Sequence, residues 1–218
     1  MSTQAVAIFD LDGTIARGDT YLGFLLHVLR RRPRRVIRLV GLPLAVARFG
    51  LGRLSNAQLK SIFLTAIVGG SGREELARHV ESYLPRCFDR MIKPAALARI
   101  EWHRARGDRL VLASASLDLY VEPLGSRLRF DRTISTRTAW LGDRLTGALD
   151  GANLRGESKL DAVREVIGAA GPRPEIYAYS DHHSDLPLLL FADHAVAVDP
   201  SRELLASARV HGFEVEYW

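Results

Sequence analysis

Short apolar runs alternating with helix-patterned stretches constrain this chain more than any other feature. The runs are AVAIF (5–9), RLVLA (109–113), EIYAY (175–179) and HAVAV (194–198), with RTIST (132–136) as a more polar fifth. Runs of this length, rich in Val, Ile, Leu and Ala, read as strands buried on both faces. Helical spacing fills DLYVEPLGSRL (118–128), SKLDAVREVIG (158–168), DLPLLLFA (185–192) and SRELLASARVHG (201–212). Parallel neighbours need such crossovers, so the expected class is α/β with a Rossmann-like parallel sheet. TAWLGDRLTGAL (138–149) reads as a hairpin turning at Gly142-Asp143.

The alternation fails once. From 15 to 91 no strand pattern occurs. YLGFLLHVLRRR (21–32) predicts a helix that stops near Pro33. Ser55-x-x-Gln58 and Ser71-x-x-Glu74 read as capping boxes that open two more helices. Pro94 opens a helix that Gly107 ends. The predicted organisation is a sheet core of 1–14 and 92–218, with an all-helical cap, 15–91, inserted after the first strand. A length of 218 residues suits one domain plus such an insert. With 47% hydrophobic and 25% charged residues the chain can pack a core, which excludes wholesale disorder.

Charge is divided between the two parts. Residues 20–73 hold ten Lys or Arg and no Asp or Glu, so the remainder must be net acidic for the chain to total only +5. An anionic partner for the insert is one reading, and a solvated basic face is the other. VIRLVGLPLAVARFG (36–50) is apolar, but Arg38, Pro43 and Arg48 interrupt it and it is too short to span a bilayer. It is expected to be interfacial or buried. The arginines sit among aliphatic residues without interleaved aromatics, so nucleic-acid binding is not expected. Cys87 is the only cysteine, which fits a reducing compartment. MSTQAVAIFD has no basic segment before a long apolar one, so no secretory leader and a cytoplasmic protein are expected. Nothing in the sequence sets an oligomeric state.

The first strand ends in FDLDGT, with Asp10 and Asp12 two apart and therefore on one face. At the carboxyl edge of a parallel sheet, where ligands bind, two such acids invite a hard divalent cation such as Mg²⁺. Alone the motif also fits a solvated Asp-Gly turn. Three further positions join it. RLVLA delivers Ser114, whose hydroxyl and amide could hold a phosphate oxygen. Lys159 opens a helix, where a cation opposes the dipole. YSDHHSDLPLL delivers Asp181 and Asp185 after another strand. The neighbouring His182 and His183 could suggest zinc, but adjacent residues rarely converge on one metal.

With these four motifs together, FDLDGT, ASAS, GESK and YSDHHSDLPLL, the chain resembles the haloacid dehalogenase superfamily of aspartyl-phosphate phosphatases. The insert resembles the cap of its phosphoserine phosphatase-like branch. RRRP, GLPLAVARFG and the SDxxxDLPLL run look most like bacterial phosphatases of the phosphatidylglycerophosphatase type. The resemblance implies a Mg²⁺-dependent phosphomonoesterase. Asp10 would be the nucleophile, Asp12 the general acid and base, and Ser114 and Lys159 the holders of the transferring oxygens. Asp10, the Asp12 carbonyl and Asp181 would bind the metal, with Asp185 and Ser184 behind them. Gly13, Thr14 and Ala115 would shape the substrate loop. Asp19 falls where phosphoserine phosphatases usually carry Glu for the substrate amine, and Arg53 and Lys60 match their cap arginine imperfectly. The expected substrate is therefore a phospholipid-derived phosphate, with a peripheral contact to anionic membrane through 30–51. A small soluble metabolite such as phosphoserine, or another amino-alcohol phosphate, is the alternative. A non-enzymatic phosphate-binding module would have no reason to keep both Asp10 and Asp12.

Overall fold

The computed structural model describes residues 4–168 and 172–218. Residues 1–3, part of the stretch read for a leader, lie outside them. The chain opens with β1 (Val6–Phe9), then runs through α1 (Thr20–Arg31), a 3-10 segment (Pro33–Leu39), α2 (Leu42–Gly50), α3 (Asn56–Ile67) and α4 (Arg73–Met91). It returns through α5 (Pro94–Arg106) to β2 (Arg109–Leu117), α6 (Asp118–Arg127) and β3 (Arg132–Thr136). A hairpin of β4 (Thr138–Leu141) and β5 (Arg144–Leu149) precedes α7 (Glu157–Ile167). The remainder is β6 (Ile176–Ser180), α8 (Leu186–Phe191), β7 (His194–Val198), α9 (Arg202–His211) and β8 (Glu214–Glu216).

Six strands form one sheet in the order β3-β2-β1-β6-β7-β8, and every pairing in it is parallel. β1 lies between β2 and β6, so connections leave it in opposite directions. That is the topological switch point, where a crevice opens beyond the strand ends. Val6 to Phe9 are buried on both sides of the sheet, as the unbroken apolar run demands. Phe9 stacks on Tyr179 of β6, with ring centroids 4.5 Å apart.

The helical segment leaves and re-enters side by side. The Arg17 amide donates to the Met91 carbonyl at 2.7 Å, and the Lys93 amide to Ile15 at 3.0 Å. α1 buries Phe24, Leu25 and Val28. Tyr83 of α4 meets Phe24 edge-on and donates to the Thr20 carbonyl.

Two sequence expectations are corrected. β2 does not end at residue 113. It continues to Leu117 with a register shift between Ser114 and Leu117. The second capping box does not form: α4 begins after Gly72, while the buried Ser71 hydroxyl accepts from Arg32 and Arg35. Two guanidiniums outcompete a helix amide for that oxygen because ionised donors bond more strongly. The C-terminal EVE pairs with β7 as an edge strand. The hairpin packs on the helical segment: Gly70 donates to the Leu145 carbonyl at 2.7 Å, and the Leu145 amide donates to Ser71 at 3.0 Å. Gly147 permits this approach, since a Cβ there would lie 2.2 Å from Thr65 Oγ1.

The first capping box does form, on both sides. Gly107 ends α5 in the left-handed conformation, at φ 81°. The 36–50 stretch is neither one helix nor buried. Pro43 falls in the first turn of α2, which buries only Leu42 and Ala45.

Candidate active site

β1 ends against β6, with the Asp10 amide donating to the Tyr179 carbonyl at 3.0 Å. The chain then folds back on itself. Gly13 donates to Ala16 and Ala16 to Leu11, at 2.9 and 2.8 Å. Gly13 holds φ +84°, and a Cβ on it would meet Asp181 Oδ2 at 2.1 Å. Only glycine lets the loop lie this close to that carboxylate. The buried Lys93 donates to the Gly13 carbonyl and, at 2.7 Å, to Asp199. This ties the loop to the root of the helical segment.

Lys159 is buried at the start of α7. Its ammonium donates to Asp10 Oδ1 at 2.7 Å and to Asp185 Oδ2 at 2.6 Å. Ser180 adds a bond to the same Asp185 oxygen at 2.8 Å. Burial alone would push the Lys159 ammonium down, but Asp10 and Asp185 hold it above its ordinary value. Asp10 is pushed up, first by burial and then by the nearby acids, against the pull of Lys159. Asp181, which accepts from Thr14 Oγ1 at 3.3 Å, is pushed up to about 6, mainly by burial.

Asp12 lines the same cavity and is held by Thr20 of α1 and Ser116 of β2. Its Oδ1 accepts from the Thr20 amide at 2.6 Å and the Thr20 hydroxyl at 2.5 Å. Its Oδ2 accepts from Ser116 Oγ at 2.5 Å. Tyr120, buried beneath, bonds the Thr20 hydroxyl at 3.1 Å. Burial raises the Asp12 pKa against these donors. A carboxyl that can hold a proton is what a general acid needs.

A cavity of about 470 Å³ covers these groups. Asp10, Asp12, Gly13, Lys159, Asp181 and Asp185 line its floor, and Asp19, Ala115 and Ser184 line it as well. Thr14 and Ser114 are buried and do not line it. The Ser114 hydroxyl is turned to the Ser116 amide at 3.0 Å. Asp19 caps α1 by accepting from Leu22. Ser184 faces His182, while His183 turns away to Ser207, so the two histidines do not converge on a metal.

Among the lining or supporting residues that escaped the sequence reading are Thr20, Ser116, Tyr120 and Arg155. Ser116 carried a signal, since it lies two beyond Ser114 in ASAS. Lys60, an imperfect match in sequence, reaches the cavity from α3. It donates to the Ala115 carbonyl at 2.5 Å and Asn153 Oδ1 at 2.6 Å. Arg53 is exposed and lies outside the lining.

The donor set fits a hard divalent cation. Two buried acids, Asp10 and Asp185, hold the buried cation Lys159, and the partly buried Asp181 lines the same cavity. Asp185 Oδ1 is buried without a hydrogen-bond partner. No three His, Cys, Asp or Glu side chains form a metal cage by themselves among the described residues. The acids in the lining offer oxygen donors only, the chemistry that suits Mg²⁺.

A family model for haloacid dehalogenase-like hydrolases matches residues 7–190. The chain is 30% identical over 189 residues to protein CicA of Caulobacter vibrioides, covering 85% of this chain and 82% of that one. It is 28% identical over 216 residues to a Mycobacterium tuberculosis protein named phosphoserine phosphatase SerB1, covering 97% and 70%. Among solved structures, a Bordetella pertussis protein of unknown function superposes with TM-score 0.83 at 24% identity, covering 99% of each chain. A substrate-bound phosphoserine phosphatase superposes with TM-score 0.68 at 15% identity, covering 100% and 94%, which shows a shared fold.

Proposed function

The chain belongs to the haloacid dehalogenase-like hydrolase family and is a phosphatase, and from that footing we propose that it hydrolyses phosphomonoesters through an aspartyl phosphate on Asp10. The observation that carries this reading is the pairing of Asp10 with Lys159 at 2.7 Å on the cavity floor. Lys159 counters the burial that raises the Asp10 pKa and offers positive charge to the phosphoryl oxygens. Asp10 attacks phosphorus and forms an O–P bond as the ester O–P bond breaks. Asp12 gives its proton to the departing oxygen, then takes one from the water that attacks the phosphoenzyme. Inorganic phosphate leaves and the Asp10 carboxylate is restored. Ser116 and Thr20 hold Asp12 in position for both transfers. The amides around Ala115 and Ser116, with the Ser114 hydroxyl beneath, frame the remaining phosphoryl oxygens.

Mg²⁺ held by Asp10, Asp181 and the Asp12 carbonyl would neutralise phosphoryl charge and reduce repulsion between the anionic ester and Asp10. Asp185 and Ser184 sit behind this set. In this reading 1–14 with 92–218 is the catalytic body and 15–91 the cap, with Gly13, Thr14 and Lys93 shaping the loop between them.

We further propose a phospholipid-derived phosphate as substrate, of the phosphatidylglycerophosphate type, met at the inner face of a membrane. The cap side of the cavity supports it: Tyr21, Leu22, Leu59 and Phe63 offer apolar wall beside the cations Lys60 and Arg155. Burial pushes Lys60 down to about 8, which leaves it largely charged near neutrality and suited to a second anionic group. A soluble amino-alcohol phosphate such as phosphoserine is the second reading. Asp19 in the lining and the name of the mycobacterial relative favour it. Phosphate release from lipid phosphates in mixed micelles, measured beside soluble monoesters including phosphoserine, separates the two. Failure of every monoester, with no acid-stable label transferred to the protein from phosphorylated substrate, would overturn the phosphatase mechanism itself.

A further inference from the structure

The cap carries a surface that the catalytic chemistry does not use. Ile37 is 77% exposed, Val40 80%, Leu44 65% and Leu51 70%. Val36, Val46 and Phe49 are exposed beside them. Leu22 and Leu26 of α1 are exposed as well, and the other large exposed apolar residues are scattered between Trp102 and Tyr217, whereas these seven fall within 16 consecutive positions. A concentration of this kind marks an interaction site.

The surface is held in shape from beneath. Arg35 donates to the Ile67 and Gly69 carbonyls, at 2.7 and 3.1 Å, and to Ser71 Oγ. Arg32 pairs with Glu75. These two arginines are struts, which corrects the expectation that the whole cluster 30–35 faces a partner. Arg34, Arg38, Arg48 and Arg53 remain exposed around the apolar side chains. No Asp or Glu occurs from 20 to 73 to offset them.

We propose that this face docks on an anionic phospholipid bilayer, with Ile37, Val40, Leu44 and Leu51 seated in the interface and the exposed arginines on the lipid headgroups. The charge pattern favours this occupant over a second copy of the chain. Two such faces in contact would bring their arginines together without a carboxylate between them, whereas an anionic lipid surface neutralises each one. No helix among the described residues is long and apolar enough to cross a membrane, so the contact is peripheral.

The face also connects to the cavity. Leu22 lines the cavity mouth, and Leu26 and Arg30 follow it at four-residue spacing along one side of α1. Eight residues of helix span about 12 Å. An exposed apolar edge therefore leads from the catalytic mouth toward the docking face, a path suited to the chains of a lipid phosphate. That path rests on the phosphatase reading. The docking itself does not.

Vesicle co-sedimentation of the intact protein tests it without turnover. With phosphatidylcholine vesicles containing about 30 mol% phosphatidylglycerol, near 50 mM salt, the protein should pellet, and near 500 mM salt it should be released. Pure phosphatidylcholine vesicles should retain far less. Ile37→Asp with Val40→Asp should weaken partitioning at least about tenfold, and Arg34→Gln with Arg38→Gln about fivefold per charge. All four side chains are exposed, so both variants should keep the wild-type rate on p-nitrophenyl phosphate. Protein that stays in the supernatant with anionic vesicles at low salt overturns the proposal. So does a wild-type dimer that the Asp variant turns into monomer, with vesicle binding unchanged. Loss of p-nitrophenyl phosphate turnover in wild type, with docking intact, would sink the catalytic reading and leave the docking standing.

Discussion

The Lys159 ammonium bridges Asp10 and Asp185, at 2.7 and 2.6 Å, inside a site where all three are almost sealed from solvent. Replacing Asp10 by Asn therefore does not strand a buried charge, because Lys159 keeps Asp185. Asp10→Asn should fold normally and lose at least about a thousandfold in phosphate release. Thermal unfolding and p-nitrophenyl phosphate turnover, measured on the same preparation, check both halves. Substantial residual turnover would rule Asp10 out as nucleophile.

Asp12→Asn should behave differently. Good leaving groups should still transfer phosphate to Asp10, but the phosphoenzyme should break down slowly because no carboxylate activates water. Acid-quenched labelling should find accumulated phosphoprotein, and a burst should precede a slow steady state. Equal loss of burst and steady state would place Asp12 outside the hydrolytic half of the reaction.

Ser116→Ala removes one of three donors to the Asp12 carboxylate. A charge-assisted bond of this kind is worth about 1.5–3 kcal/mol, so kcat should fall roughly ten- to a hundredfold. The acidic limb of the pH–rate profile should shift while KM barely changes. A pure KM effect would make Ser116 a substrate contact instead.

EDTA should abolish turnover, and Mg²⁺ should restore it better than Zn²⁺, because the donors are oxygen only. Gly13→Ala should raise the Mg²⁺ concentration needed for half-maximal activity. Its Cβ would collide with the Asp181 carboxylate, and its φ of +84° is strained for any side chain. Best recovery with zinc would contradict the oxygen-ligand reading.

His27 sits buried in α1 against Ser82, and burial followed by Arg31 and Arg86 lowers its pKa to about 4. A histidine depressed below its unfolded value of 6.5 favours folding fully only above that value. The contribution fades as pH falls and is gone below about 4, since the unfolded chain then binds a proton the native chain refuses. Between pH 7 and 5 the loss should be on the order of 1–2 kcal/mol. His27→Gln should flatten that part of the stability curve in urea unfolding. An unchanged slope would show that other groups set it.

The sequence by itself determined the sheet class and the order of the strings that line the cavity. Buried parallel strands need unbroken apolar runs, and acids just past a strand end or a lysine at a helix start sit beside those signals in sequence, so FDLDGT, GESK and YSDHHSDLPLL were legible as strings. Helix boundaries at Ser55, Pro94 and Gly107 were legible for the same reason, because capping is chemistry between residues a few positions apart.

Only the tertiary structure decided what depended on distant partners. Ser71 has the spacing of a cap, yet it serves Arg32 and Arg35 because folding brings two stronger donors to it. Ser116 and Thr20 meet on Asp12 from two different elements, and Lys60 reaches the cavity from α3, contacts that no local pattern encodes. The five arginines 30, 31, 32, 34 and 35 look alike in sequence. Packing spends Arg32 and Arg35 on buried carbonyls, a hydroxyl and Glu75, because an interior acceptor must be satisfied, and leaves Arg34 and its exposed neighbours to meet whatever lies outside.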